Sequence, residues 1–114
     1  MTLVKLLEKI LNDPQNISFD EVINTISENY SYTPVDFFNG HVQNKAGTNE
    51  GSCKIFAFAQ INCLSKEQTL ACFGQYYRDD VLTHPEGKNH ANIRNFMQLG
   101  WEGITFSNNA LVKN

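Results

Sequence analysis

Two helix-start signals, each set just ahead of an apolar repeat, constrain the fold of this chain more than any other feature. Ser18 with Glu21, and Ser65 with Gln68, each form a capping box. In that arrangement the serine hydroxyl and the longer side chain satisfy two of the backbone amides that a helix start leaves unpaired. Behind the first box, Phe19, Val22, Ile23 and Ile26 recur at helical spacing, and Ile17 is placed to staple against Val22. Chains punctuated in this way build from short amphipathic helices.

The same reading extends along the chain. Leu3, Leu6, Leu7, Ile10 and Leu11 make a first helical stripe behind Thr2, stopped by Asn12, Asp13 and Pro14. Ser52 is expected to cap a third helix, from Cys53 to about Asn62, whose apolar residues fall on more than one side and mark it as central. From Ser65 a fourth helix is expected to run to Arg78. Gly74 inside it costs about 1 kcal/mol relative to alanine, which implies close packing against a neighbour. Asn89 is expected to cap a last helix with Ile93, Phe96 and Met97 on one face, ended by Gly100 with Trp101 as its apolar contact.

Between these elements, Tyr30 to Phe38 reads as an extended edge segment, since Pro34 disfavours a central strand. Asn39 to Gly51 reads as a long Asn- and Gly-rich loop. Ile104 to Phe106 is the natural strand partner of Val35 to Phe38, and Asn108 to Asn114 is expected as a flexible polar tail. The sum is an α+β fold over residues 1–114: a predominantly helical single domain of about five helices with a small two-stranded antiparallel sheet.

Composition narrows the function classes. With 114 residues, 41% of them hydrophobic and eight of them Phe, the chain can bury one core but not two. A formal net charge of -3 with mixed signs offers no cationic field for a polyphosphate, so no nucleic-acid partner is expected. Lys5, Glu8 and Lys9 interrupt the N-terminal apolar stretch, so neither a signal peptide nor a membrane span is expected. Cys53, Cys63 and Cys72 fit no zinc or redox spacing and are expected as reduced thiols.

Three constellations could carry chemistry. Cys53 stands at the expected start of the central helix, where unpaired amides and the macrodipole can stabilise a thiolate. His90 and Asn92 (or Asn95) follow downstream in the order nucleophile, base, orienting amide, which suits a small cysteine hydrolase or transferase. His84, His90, Glu86 and His41 match no metal-binding spacing, so neither a metal nor a cofactor is expected, and the loop histidines are read as hydrogen-bonding groups. Arg78 and Arg94 are expected to pair with Glu50 or Asp80 and fix the long loop, or to hold an anionic ligand. The tyrosines, each with a hydroxyl to satisfy, are candidates for a pocket rim.

The motifs Phe37-Phe38-Asn39-Gly40, Asn49-Glu50-Gly51-Ser52-Cys53-Lys54, Phe73-Gly74-Gln75-Tyr76-Tyr77-Arg78 and Asn92-Ile93-Arg94-Asn95-Phe96-Met97, followed by Gly100-Trp101, occur in this order over nearly the whole chain. Together they resemble the HopJ family, named for a type III secreted effector of plant-pathogenic bacteria. The resemblance implies a delivery route and no known reaction. It is accordingly read as an effector-like protein that acts through protein or ligand binding, its partner a host or bacterial protein. A type III export signal is expected to be flexible and polar, whereas this chain turns helical at Leu3. Residence in the bacterial cytoplasm is therefore expected, with secretion into a host cell for a true effector. Asn39, Asn49, Glu50, Arg78, His84, Arg94 and Trp101 are the candidate binding or loop-network residues. The Asn- and Gly-rich loop and the segment His84 to Asn95 are expected to face each other across a cleft.

Overall fold

The computed structural model describes all residues, 1–114. Five α-helices form: α1 (Leu3–Asn12), α2 (Phe19–Asn29), α3 (Glu50–Ile61), α4 (Lys66–Ala71) and α5 (Ala91–Leu99), with a π-helical turn over Tyr76–Val81. Thr2 caps α1, and both capping boxes close as expected, Ser18 on α2 and Ser65 on α4. Across α1 and α2, the Lys9 ammonium meets the Glu21 carboxylate at 2.9 Å.

α3 is central because its apolar residues surround it. Cys53, Ile55, Phe56, Ala57, Phe58 and Ala59 are all buried. Phe56 is the hub, its ring meeting Phe37, Phe73, Phe96 and Trp101 at centroid separations of 4.9 to 6.5 Å. Each fully buried ring of this kind contributes about 1.5–3 kcal/mol of burial. The rings come from the sheet, α5 and the segments flanking it, so one side chain joins most of the layers.

The sheets are richer than the single two-stranded sheet expected. β2 (Phe37–Asn39) pairs antiparallel with β4 (Ile104–Phe106), as the sequence suggested, and on its other edge with β3 (Val42–Asn44). A second small sheet joins β1 (Tyr30–Tyr32) to β5 (Leu111–Lys113). The expected flexible tail of residues 108–114 thus contains a paired strand, because Ala110 and Leu111 are apolar and buried and draw the chain end back onto the core.

α4 also departs from expectation: it ends at Ala71 rather than running to Arg78. Gly74 sits at φ +59, and a Cβ built there would lie 2.5 Å from the Phe19 backbone nitrogen. The expected close packing is real. It brings backbone against backbone at the start of α2, where Gln75 Oε1 accepts from the Phe19 N–H at 3.3 Å.

Gly74→Ala combines a positive φ with a clash against an immovable main chain, so a loss of about 3 kcal/mol or more is expected. Gly47→Ala shares the positive φ but meets nothing within 4 Å, and should cost only about 1–2 kcal/mol. Urea denaturation of the two variants measures the difference; equal losses would show that the contact with α2 is unimportant.

Candidate functional site

The sheet alternation that buries Phe37 also buries Asn39, one pleat further along β2, and Asn44 on β3. Opposite them, Asn92 is buried in the first turn of α5. Asn92 Nδ2 donates to Asn44 Oδ1 at 3.0 Å, and Asn44 Nδ2 donates back to Asn92 Oδ1 at 3.2 Å. Asn39 Nδ2 donates to the Asn92 carbonyl at 2.8 Å and to its side-chain oxygen at 3.1 Å. Asn49 Nδ2 joins at Asn44 Oδ1, 2.7 Å away. Four asparagines thus tie β2 and β3 to the starts of α3 and α5.

Those two helix starts differ from the other three. Asn49 and His90, the cap residues of α3 and α5, both adopt the left-handed conformation (φ 50, ψ 45 and φ 54, ψ 49), and neither side chain caps its helix. The first amides with a carbonyl acceptor are Cys53 and Arg94, one turn in. The expected caps, Ser52 and Asn89, do not serve: Ser52 lies inside the first turn of α3, and Asn89 instead accepts from Arg94. Asn and His are among the residue types that enter the left-handed region most readily, yet a position there still costs energy. A serine or aspartate cap would be worth about 1 kcal/mol at each helix. Both gains are forgone at the two helices that meet.

They meet at a cleft of about 380 Å³. Val42, Asn44, Asn49, Gly51 and Ser52 line one side, and His90, Ala91, Asn92 and Ile93 the other. The long loop and the His84 to Asn95 segment therefore do face each other. Phe19, Phe73 and Tyr76 complete the wall. Tyr76 packs edge-on against Phe19 at 5.0 Å and lies 5.4 Å from the His90 ring. Phe19 falls in the apolar stripe of α2 and Tyr76 is among the rim candidates, but chain spacing gives no sign that α2 and the π-helical turn reach the same cleft. Asn44 was missed altogether, since its neighbours read as loop.

The remaining candidates divide. The expected grouping of Cys53, His90 and Asn92 is not assembled. Cys53 is buried and absent from the cleft wall. Burial pushes its thiol pKa upward, although the Tyr32 hydroxyl and the Val35 backbone beside it act in the opposite sense. His90 bonds through Nε2 to Asp80 at 3.1 Å, and the Asn92 side chain is engaged by Asn39 and Asn44. Nor do the arginines pair with Glu50 or Asp80. Arg94 spends its donors on the carbonyls of His84 (2.8 Å) and Asn89 (2.6 Å), closing the loop ahead of α5, while buried Nη1 of Arg78 has no partner. Glu50 is exposed, and His84 is an exposed loop residue beside Thr83. Trp101 serves the core: its indole N–H donates to the Leu64 carbonyl at 3.0 Å and its ring packs on Phe96.

The comparisons with known proteins fit this frame. The family model described as "HopJ type III effector protein" matches residues 3–111. The chain belongs to the HopJ type III effector family. A crystal structure titled as that of the unknown function protein VPA0580 is 52% identical, superposes with a TM-score of 0.98, and is matched over 100% of this chain and 95% of its own. No curated protein matches the sequence. Within this HopJ protein, no helix is long and apolar enough to cross a membrane.

The cysteines give a direct check. Exposed Cys63 should be alkylated readily in the native protein, whereas Cys53 and Cys72 should react only on unfolding. Burial raises Cys72 from 9.0 to about 12. Because its neutral form is favoured in the fold, its contribution to stability is complete below pH 9 and is lost as pH rises toward 12. Mass spectrometry after alkylation tests the assignment; selective labelling of native Cys53 below about pH 8, where an ordinary thiol is still protonated, would return it to a catalytic role.

Proposed function

We propose that this HopJ-family protein acts by binding, and that the cleft between α3 and α5 takes a ligand carrying a carboxylate next to a ring or other flat apolar group. A partner protein could present the same chemistry at its C-terminus. The observation that carries this reading is the convergence of two helix starts without side-chain caps on one cavity. Each aligned helix places roughly half a positive charge at its first turn, with backbone N–H groups as donors. A carboxylate in a partly buried site of this kind gains up to about 2 kcal/mol per helix end. Phe19, Phe73 and Tyr76 supply apolar wall, and the asparagine network holds the donors at a fixed separation.

The effector description of the family supports a protein that acts on a partner after delivery. Binding in the cleft suits that role whether the partner is of host or bacterial origin.

N-acetylphenylalanine, which joins a carboxylate to a ring, is a suitable probe. Titrated into the isotopically labelled protein, it should shift the backbone amide resonances of Gly51, Ser52, Ala91 and Asn92 first. Tyr76→Ala should weaken binding by about 10-fold, in line with the roughly 1.4 kcal/mol expected for a lost aromatic contact. Shifts confined to another face would overturn the assignment of the cleft.

A further inference from the structure

Only one asparagine in the chain is followed by glycine, and it is Asn39, which ties β2 to α5. A glycine nitrogen, unhindered by a side chain, reaches the carboxamide carbon of the residue before it, so an asparagine in this position is the one most prone to lose its amide. We infer that Asn39 is a modification site gated by folding: inert in the native protein, it is converted to aspartate or isoaspartate in chains that have unfolded, and converted chains cannot rebuild the asparagine network.

The fold requires both residues of this labile pair. Gly40 opens the turn between β2 and β3 at φ +67, where any other side chain is strained, and a Cβ there would lie 2.5 Å from Leu99 Cδ1. Asn39 is fully buried, and its Nδ2 donates to the Asn92 carbonyl at 2.8 Å and to the Asn92 side-chain oxygen at 3.1 Å. The same contacts block the reaction. They hold the carboxamide against α5, while the Gly40 N–H is committed to the Gly103 carbonyl at 2.8 Å. The Asn39 carbonyl accepts from Asn95 Nδ2 at 3.2 Å, and its strand is paired on both edges, with Val42 and with Ile104. Water is excluded from a residue with no accessible surface. The reaction is thus confined to the unfolded fraction.

In an unfolded chain the Gly40 nitrogen, once its proton has passed to base, adds to Asn39 Cγ. The bond from Cγ to Nδ2 breaks, the amide nitrogen takes up a proton and leaves as ammonia, and a five-membered imide closes. Water opens the imide at either carbonyl, giving aspartate or isoaspartate. One water is consumed and one ammonia released, with no change of oxidation state. Isoaspartate carries the main chain through Cγ, which lengthens a three-residue strand and upsets the register that buries Phe37. Aspartate at position 39 replaces a donor by an acceptor. The Asn92 side-chain amide can rotate to offer it a donor, but the Asn92 backbone carbonyl, now 2.8 Å from a donor, cannot. A desolvated carboxylate facing an acceptor is strongly unfavourable.

The test ages the full chain at one mildly alkaline pH, native or in guanidinium chloride, and follows it by peptide mass spectrometry. The peptide carrying Asn39 should gain the mass of an amide turned to an acid in denaturant. It should do so about 1,000-fold or more slowly in the native sample, where about one chain in 1,000 or fewer is unfolded. Exposed Asn108 and Asn109 give the internal reference, changing little between the two samples. After dilution from denaturant, chains with Asn39 intact should refold and converted chains should not, the two being separated by size exclusion. Asn39→Asp gives a second readout. Its carboxyl fits the site only when protonated and donating to the Asn92 carbonyl, so the fold raises its pKa. Relative to the native sequence, the stability of this variant should recover as pH falls toward the ordinary carboxylate value of about 4 and be lost as pH rises to neutrality. Equal rates at Asn39 in the two samples would overturn the gating, and no conversion in denaturant would overturn the site. Converted chains that refold, or native-like stability of Asn39→Asp at neutral pH, would show that conversion does not disable the network.

Discussion

The reciprocal amide pair between Asn44 and Asn92 is the interaction on which the rest of the site depends. It spans from an edge strand to the start of α5, and through Asn39 and Asn49 it reaches the middle strand and the start of α3. Individual hydrogen bonds of this sort contribute only about 1 kcal/mol net, but an amide stranded in the core costs about 1–3 kcal/mol. Loss of any one asparagine would leave others unpaired. The network therefore specifies a geometry more than it stabilises a fold, and one of its members, Asn39, already keeps an unpartnered buried Oδ1.

Stability comes from elsewhere. Phe56 and the rings around it form the apolar centre, and α1, α2 and α4 carry side-chain caps that fix where they begin. Against that background the uncapped starts of α3 and α5 stand out, since both lie at the cleft and both enter through left-handed residues. A fold that caps three helices and leaves open the two that converge has placed its free donors in one spot. The proposed binding of a carboxylate draws on those donors.

Much of this fold was legible in the sequence because its signals are local. Capping boxes, apolar periodicity and the glycine that ends α5 lie within a few residues of the structures they cause, and the expected pairing of Val35–Phe38 with Ile104–Phe106 forms with the first strand at Phe37–Asn39. The misses share a different origin. Strands of three residues such as Val42–Asn44 are too short to show a period, and Leu111–Lys113 is a strand only because Ala110 and Leu111 find the core. The π-helical turn and the break at Gly74 answer to the backbone of α2, far away in sequence. At the site, the segments facing the cleft were readable from their polar and conformationally special residues. Which side of α3 faces it was not: the helix is capped three residues earlier than expected, at Asn49 rather than Ser52, and it is Ser52 and not Cys53 that lines the cleft.

Proton exchange of the asparagine side-chain amides tests the central claim most directly. Measured by nuclear magnetic resonance in water, the Nδ2 protons of Asn39, Asn44 and Asn92 should be strongly dispersed and exchange far more slowly than those of exposed Asn89, with Asn44→Ala releasing the protection at Asn92. Exchange at the rate of a free asparagine in the native protein would show that no such network holds the two helix starts together.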